Sequence, residues 1–123
     1  MPGWPNQPPI YALKAEFFRT LGHPVRVRIL QLLREGERSV GALQAELELD
    51  SSGTSQHLAA LRKQGLVATR RDGTSVYYSV KDKRTLALLE LAKGIISSNL
   101  EENHQLLSEL AAEDFTPTRM PRR

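Results

Sequence analysis

The chain has 123 residues, enough for one domain with one small core, and a formal net charge of +3. It has no cysteine, which excludes disulfides, thiolate catalysis and thiolate metal sites. No apolar run is long enough for a membrane-spanning helix and the N-terminus lacks a basic-then-apolar signal, so a soluble, cytoplasmic protein is expected.

Residues 1–9 hold four prolines and one glycine without periodicity and are expected to form a disordered or extended arm. Ile10, Leu13, Phe17 and Leu21 then recur at helical spacing, and Tyr11 and Phe18 widen their apolar face. That face is broad for one short helix and would suit packing on a second subunit. Gly22-His23-Pro24 breaks the helix, with Pro24 fitted to the first position of a new one and His23 reading as a junction residue. In this second helix Val25, Ile29, Leu32 and Leu33 form the expected buried stripe. Arg26, Arg28 and Arg34 fall outside it, and Glu35-Gly36 ends it.

Ser39 is placed to cap a short helix whose Val40, Leu43 and Leu47 share one face. Leu49-Asp50 is the expected turn, and Asp50 and Ser51 open the next helix. Its first part, Ser52, Gly53, Thr54, Ser55, Gln56 and His57, is small and polar. Leu58, Leu61 and Leu66 come only later, with Gly65 placed to stop the helix. A helix that pushes its N-terminal end against base edges in a major groove needs this division. A capped surface helix is the plain alternative, and the neighbouring elements decide between the two.

After Gly65 the period changes from helical to alternating: Val67, Thr69 and Arg71, then Val76, Tyr78 and Val80. Asp72-Gly73 between them predicts a tight hairpin with positive φ at both residues, and Arg70 and Arg71 flank it. Two helices joined by a tight turn and followed by a basic hairpin predict a mainly α domain with a small β-hairpin, a winged helix-turn-helix. From Lys83 to about Ala112 runs one helical pattern whose stripe is Leu89, Ala92, Ile96, Leu100, Asn103, Leu107 and Leu110. As a single helix it would be roughly 45 Å long, more than the domain can cover, so it is expected to pair with a copy of itself. The expected organisation is an arm at 1–9, a DNA-binding and dimerisation domain at 10–112 and a flexible tail at 113–123.

Charge agrees with this division. From Arg19 to Arg84 there are 12 Lys/Arg against 7 Asp/Glu, a net of +5, and from Thr85 to Asp114 one Lys against 6 acids, a net of −5. The basic centre would face a polyanion and the acidic last helix would not.

The runs L-G-H-P-V-R-V-R-I-L-Q-L-L, S-V-G-A-L, T-S-Q-H-L-A-A-L-R-K-Q-G-L-V and R-R-D-G-T-S-V-Y-Y-S-V resemble the ArsR/SmtB family, dimeric winged-helix transcriptional regulators of bacteria and archaea. The resemblance covers about Leu13 to Leu100. It implies a homodimer built from the first and last helices, with two recognition helices entering successive major grooves of an imperfect palindrome. The family's DNA-contacting positions fall on Ser52, Thr54, Ser55, Gln56 and His57, with Arg70 and Arg71 in the wing. Gln56 is the expected base reader, because an amide pairs bidentately with adenine. His57 has a rival role as a side chain bonded to its own domain. Repression by occluding polymerase is expected, although activation is equally compatible with the sequence.

Many members of that family sense metals, and here the chain departs from the pattern. Ser39 and Gly41 occupy the places of one family site's cysteine pair. At the other site Asp82 remains, but Arg84, Ile95 and Ser98 replace two histidines and a glutamate. No cofactor is therefore expected; nickel or zinc at Glu101 and His104, shared with a dimer mate, is the minority alternative. No glycine-rich phosphate loop or G-x-S-x-G occurs, and no enzyme is expected. A winged helix that binds protein is the other alternative, disfavoured by the basic hairpin and the polar helix entrance.

Overall fold

The computed structural model describes residues 5–100 and 103–116. Helix α1, Pro9–Leu21, starts one residue before the expected Ile10, because Pro9 fits the first helical position, where no amide hydrogen is needed. Helix α2, Pro24–Leu32, is capped by His23, whose Nδ1 accepts from the Val25 amide at 3.2 Å. A single 3₁₀ turn, Leu33–Glu35, follows and closes at Gly36, whose φ of 139° lies in the region that favours glycine. Helix α3, Val40–Leu47, is capped by the Ser39 hydroxyl as expected, and Glu48 turns the chain with a left-handed φ of 54°. Helix α4, Ser51–Lys63, follows at once.

The expected hairpin becomes a three-stranded antiparallel sheet. Its strands are β1 (Arg38–Ser39), β2 (Val67–Asp72) and β3 (Ser75–Val80), in the order β1-β3-β2. The turn is displaced by one residue from the expected Asp72-Gly73. Asp72 pairs with Ser75, so Gly73 and Thr74 form the loop, and of these only Gly73 has positive φ, at 63°. Glycine at the first loop position alone serves the type of hairpin turn that needs positive φ once.

The core forms where α2, α3, α4 and the base of β2 meet. Ile29, Leu30, Leu43, Leu58 and Leu61 are buried there, with Leu66 and Val67 at the strand entrance. Leu30 was missing from the expected stripe of α2, because the helix is covered on more than one side. This packing fixes α4 from beneath, and it is what positions the site described below.

The expected single long helix is two helices, α5 (Arg84–Ser98) and α6 (His104–Ala112). Ser97, Ser98 and Asn99 are weak helix formers, and Ser98 Oγ donates to the Gly94 carbonyl at 3.2 Å, a bond that favours bending. Asn103, which fitted the apolar stripe by spacing, instead caps α6 by accepting from the Leu106 amide at 3.0 Å. The chain then returns along α5. Lys93 Nζ donates to the Glu113 carbonyl, the Phe115 amide donates to Glu90 Oε2 at 3.2 Å, and Arg34 Nη1 donates to the Thr116 carbonyl at 3.0 Å. Phe115, placed by sequence in a flexible tail, is only 2% exposed and lines an apolar groove with Leu86, Ala87 and Leu91. Phe115→Ala should therefore cost about 3 kcal/mol in urea unfolding; a loss under about 0.5 kcal/mol, the scale of surface changes, would mean that this segment is not packed.

Candidate nucleic-acid interface

Helix α4 owes its direction to its first turn. Asp50 Oδ1 accepts from the Gly53 amide at 2.7 Å, and the Thr54 hydroxyl donates to the Asp50 carbonyl at 2.9 Å. A Cβ at Gly53 would stand 2.8 Å from Asp50 Oδ1, the end of an exposed side chain that can shift, so glycine eases the close approach of the capping carboxylate without being required for it. No spacing rule shows that contact from sequence.

Thr54, Leu58 and Leu61, at intervals of four and three, form the buried face of α4. Thr54 is 0% exposed and its hydroxyl is spent on the Asp50 carbonyl, which corrects the expectation that it contacts DNA. Ser52, Ser55 and Gln56 lie on the opposite, exposed face, again at intervals of three and one, so they stand together. His57 lies between the two faces. Its Nδ1 accepts from Arg26 Nε at 3.2 Å and its ring lies against His23, centroids 4.3 Å apart. The structure thus favours the rival role for His57, a side chain bonded to its own domain. It also turns Arg26, expected on the outside of α2, toward α4.

The two wing arginines have separate fates. Alternation along β2 sends them to opposite faces of the sheet. Arg70 pairs across the ladder with Tyr77, lies 4.7 Å from the centre of its ring, and donates to both carboxylate oxygens of Glu37 at 3.1 and 2.5 Å. The Glu37 carboxyl is held below its usual range first by that hydrogen bond and then by the charge of Arg70. Arg71 is exposed and has no hydrogen bond or ion pair among the described residues. Glu37 and Tyr77 were not singled out in the sequence; only the strand order β1-β3-β2 brings them to Arg70.

The sequence model of the arsR family of bacterial regulatory proteins matches residues 23–69, from the cap of α2 into β2. An HTH-type transcriptional regulator of Mycobacterium tuberculosis is 46% identical over 105 residues, which are 85% of this chain and 92% of that protein. The chain belongs to the ArsR family. This ArsR-family protein also matches the crystal structure of the M. tuberculosis regulator with a TM-score of 0.73, covering 78% of this chain and 97% of that one. A biofilm growth-associated repressor of Agrobacterium fabrum is 36% identical over 89 residues, 72% of this chain and 75% of the repressor. The solution structure of a homodimeric winged helix-turn-helix DNA-binding domain from Mycobacterium bovis matches with a TM-score of 0.69 at 30% identity, covering 82% of this chain and 97% of that one. The ArsR-family chain is a winged helix-turn-helix transcriptional regulator, a non-enzymatic class. In that fold α3 and α4 are the helix-turn-helix and the β2–β3 hairpin is the wing.

In this ArsR-family chain, the positions that the resemblance assigns to metal ligands do not suit a metal. Ser39 Oγ is spent on the Ala42 amide at 3.1 Å, and Gly41 offers no side chain. Arg84 holds Asp82 in an ion pair at 2.6 Å, and its hydrogen bonds keep that carboxyl down at about 2. Ile95 is apolar and Ser98 is bonded to its own helix. Among the described residues no three His, Asp or Glu side chains cluster as metal ligands would. His104 is exposed at the start of α6, and Glu101, its companion in the nickel or zinc alternative, lies outside the described residues. No helix among the described residues is long and apolar enough to cross a membrane.

Proposed function

We propose that this regulator is a cytoplasmic homodimeric repressor that binds an imperfect palindrome in double-stranded DNA, reading bases through Ser52, Ser55 and Gln56. The observation that carries the reading is the division of α4. Its exposed N-terminal face holds short donors and acceptors, while Thr54, Leu58 and Leu61 lock the opposite face into the core. A rigid, polar helix end is what base-edge recognition requires, and the free amides of its first turn suit a phosphate. Gln56 is the longest amide on that face and the natural partner for adenine. Arg71 contacts phosphate directly, whereas Arg70 reaches DNA only by exchanging Glu37 for a phosphate. Repression is supported by the name of the A. fabrum relative. Control runs through a ligand, partner or protein level other than a metal at the Ser39 and Asp82 positions.

The homodimer is supported by apolar surface on the first and last helices and by the M. bovis neighbour, whose domain is homodimeric. Leu13 and Phe18 on α1 are 67% and 57% exposed, and Leu91 and Ile95 on α5 are 66% and 60% exposed. Large exposed apolar side chains gathered on two helices are the mark of a surface that is covered in the assembly. Two copies related by a twofold axis would set their α4 helices one turn of DNA apart, about 34 Å.

Three measurements test this reading. Gln56→Ala should cost about 1–3 kcal/mol of operator binding and relax sequence choice at one base pair per half-site; unchanged preference in a competition assay would remove Gln56 as the reader. Arg71→Ala should weaken all sequences alike and flatten the salt dependence by about one unit of slope, whereas Glu37→Gln, by freeing Arg70, should tighten binding and steepen the slope. Equal slopes in both variants would show that the wing does not touch phosphate. Ile95→Glu should yield a folded monomer in sedimentation, and a dimer of undiminished affinity would place the interface elsewhere.

A further inference from the structure

One polar cluster holds the recognition helix without belonging to its DNA-facing side. Arg26 on α2 donates through Nε to His57 Nδ1 on α4 at 3.2 Å and through Nη1 to the Thr20 carbonyl in the last turn of α1 at 3.4 Å. His23, at the α1–α2 junction, lays its ring against that of His57, and its own Nδ1 accepts from the Val25 amide. One guanidinium therefore ties together the end of α1, the start of α2 and the middle of α4. Burial of Thr54, Leu58 and Leu61 sets which face of α4 looks inward, and this link adds a directional polar contact between the middle of α4 and the end of α1.

The link works in one protonation state only. A guanidinium has donors and no acceptor, so the bond from Arg26 needs the lone pair on His57 Nδ1, with the ring proton on Nε2. A protonated His57 would lose that lone pair and face Arg26 with like charge. Burial first, and then the charges of His23 and Arg26, hold the His57 ring below its usual value of 6.5. Those two are the charged or titratable groups acting on it among the described residues, and the α1 end of the link is the uncharged Thr20 carbonyl, bonded to Arg26. Because the folded value is depressed, the link is fully present above 6.5 and is lost as pH falls through the lower folded value.

We propose that Arg26 and His57 are positioning residues for DNA binding, fixing α4 against α1 while His57 is neutral and releasing it when His57 takes a proton, so that acid weakens operator binding. The inference rests on the DNA-binding reading above. Its sign is distinctive, because added positive charge ordinarily tightens binding to DNA. Since α1 also carries the proposed dimer face, the same link couples the orientation of α4 to the partner subunit.

The test uses the full chain and a duplex enriched by that chain from a random-sequence library, with affinity measured by fluorescence anisotropy at constant ionic strength between about pH 8 and about pH 5.5. The unaltered chain should lose about tenfold in affinity on acidification, the scale of one charge-assisted hydrogen bond. His57→Gln supplies an amide oxygen that accepts from Arg26 at every pH, so its acid-to-neutral affinity ratio should return to about one. Arg26→Leu should bind less tightly at neutral pH and show no acid loss. If the variants misfold by circular dichroism, the ring resonances of His57 in the unaltered chain decide: duplex should lower the pH at which they titrate, by linkage. Affinity that is flat or rises on acidification, acid loss retained in His57→Gln, or a His57 titration unmoved by duplex would each overturn the inference while leaving DNA binding intact. A chain that enriches no duplex at any pH would overturn both.

Discussion

The burial of Leu58 and Leu61 against Ile29, Leu30 and Leu43 is the interaction on which everything else in this regulator depends. Each of these side chains is at most 1% exposed. Fully burying a leucine stabilises by about 1.5–3 kcal/mol, so the set carries much of a small domain's stability. It also settles geometry: with one face of α4 committed to the core, the face bearing Ser52, Ser55 and Gln56 can only look outward. The polar cap at Asp50 and Thr54 then sets where the helix begins. Function in this fold is a by-product of which residues the core leaves over.

Charge plays a second part, and the structure distributes it less simply than the sequence does. Counting arginines on the wing gives two cations for DNA. Among the described residues the wing carries one arginine without a partner, Arg71, and one already neutralised by Glu37, because alternation along β2 and the addition of β1 place a carboxylate beside Arg70. An exposed ion pair of this kind adds little to stability. In the proposed binding mode its consequence would be that a phosphate has to displace a carboxylate to engage Arg70. Arg26 follows the same rule: a residue that spacing puts on the solvent side of α2 becomes the bridge between α1 and α4.

The parts of the fold legible in the sequence were those specified locally. Pro24, Ser39, Asp50 and Gly65 mark helix ends by their own chemistry, and alternation after Gly65 marks the strands. The exposure of Ser52, Ser55 and Gln56 was legible for the same reason, since a polar helix entrance precedes a leucine stripe. What escaped depends on contacts between distant residues or on competition among local ones. Thr54 looks like its neighbours in composition and is separated from them only by the three-and-four spacing to Leu58 and Leu61. The stripe from Leu89 to Leu110 continues in phase across Asn99–Asn103, so periodicity alone could not show that capping by Asn103 wins over helix continuation. Phe115 sits in a proline-rich stretch, and its burial follows from α6 folding back on α5.

The proposed DNA surface is the exposed N-terminal face of α4 with the wing beside it. The most direct measurement is a backbone amide shift map of the isotope-labelled chain titrated with its enriched duplex. Shifts should concentrate on Ser51–Gln56 and on Arg71–Thr74, with the outer faces of α1 and α5 unmoved. Shifts centred on α1, α5 or the Phe115 groove, with the start of α4 silent, would contradict it.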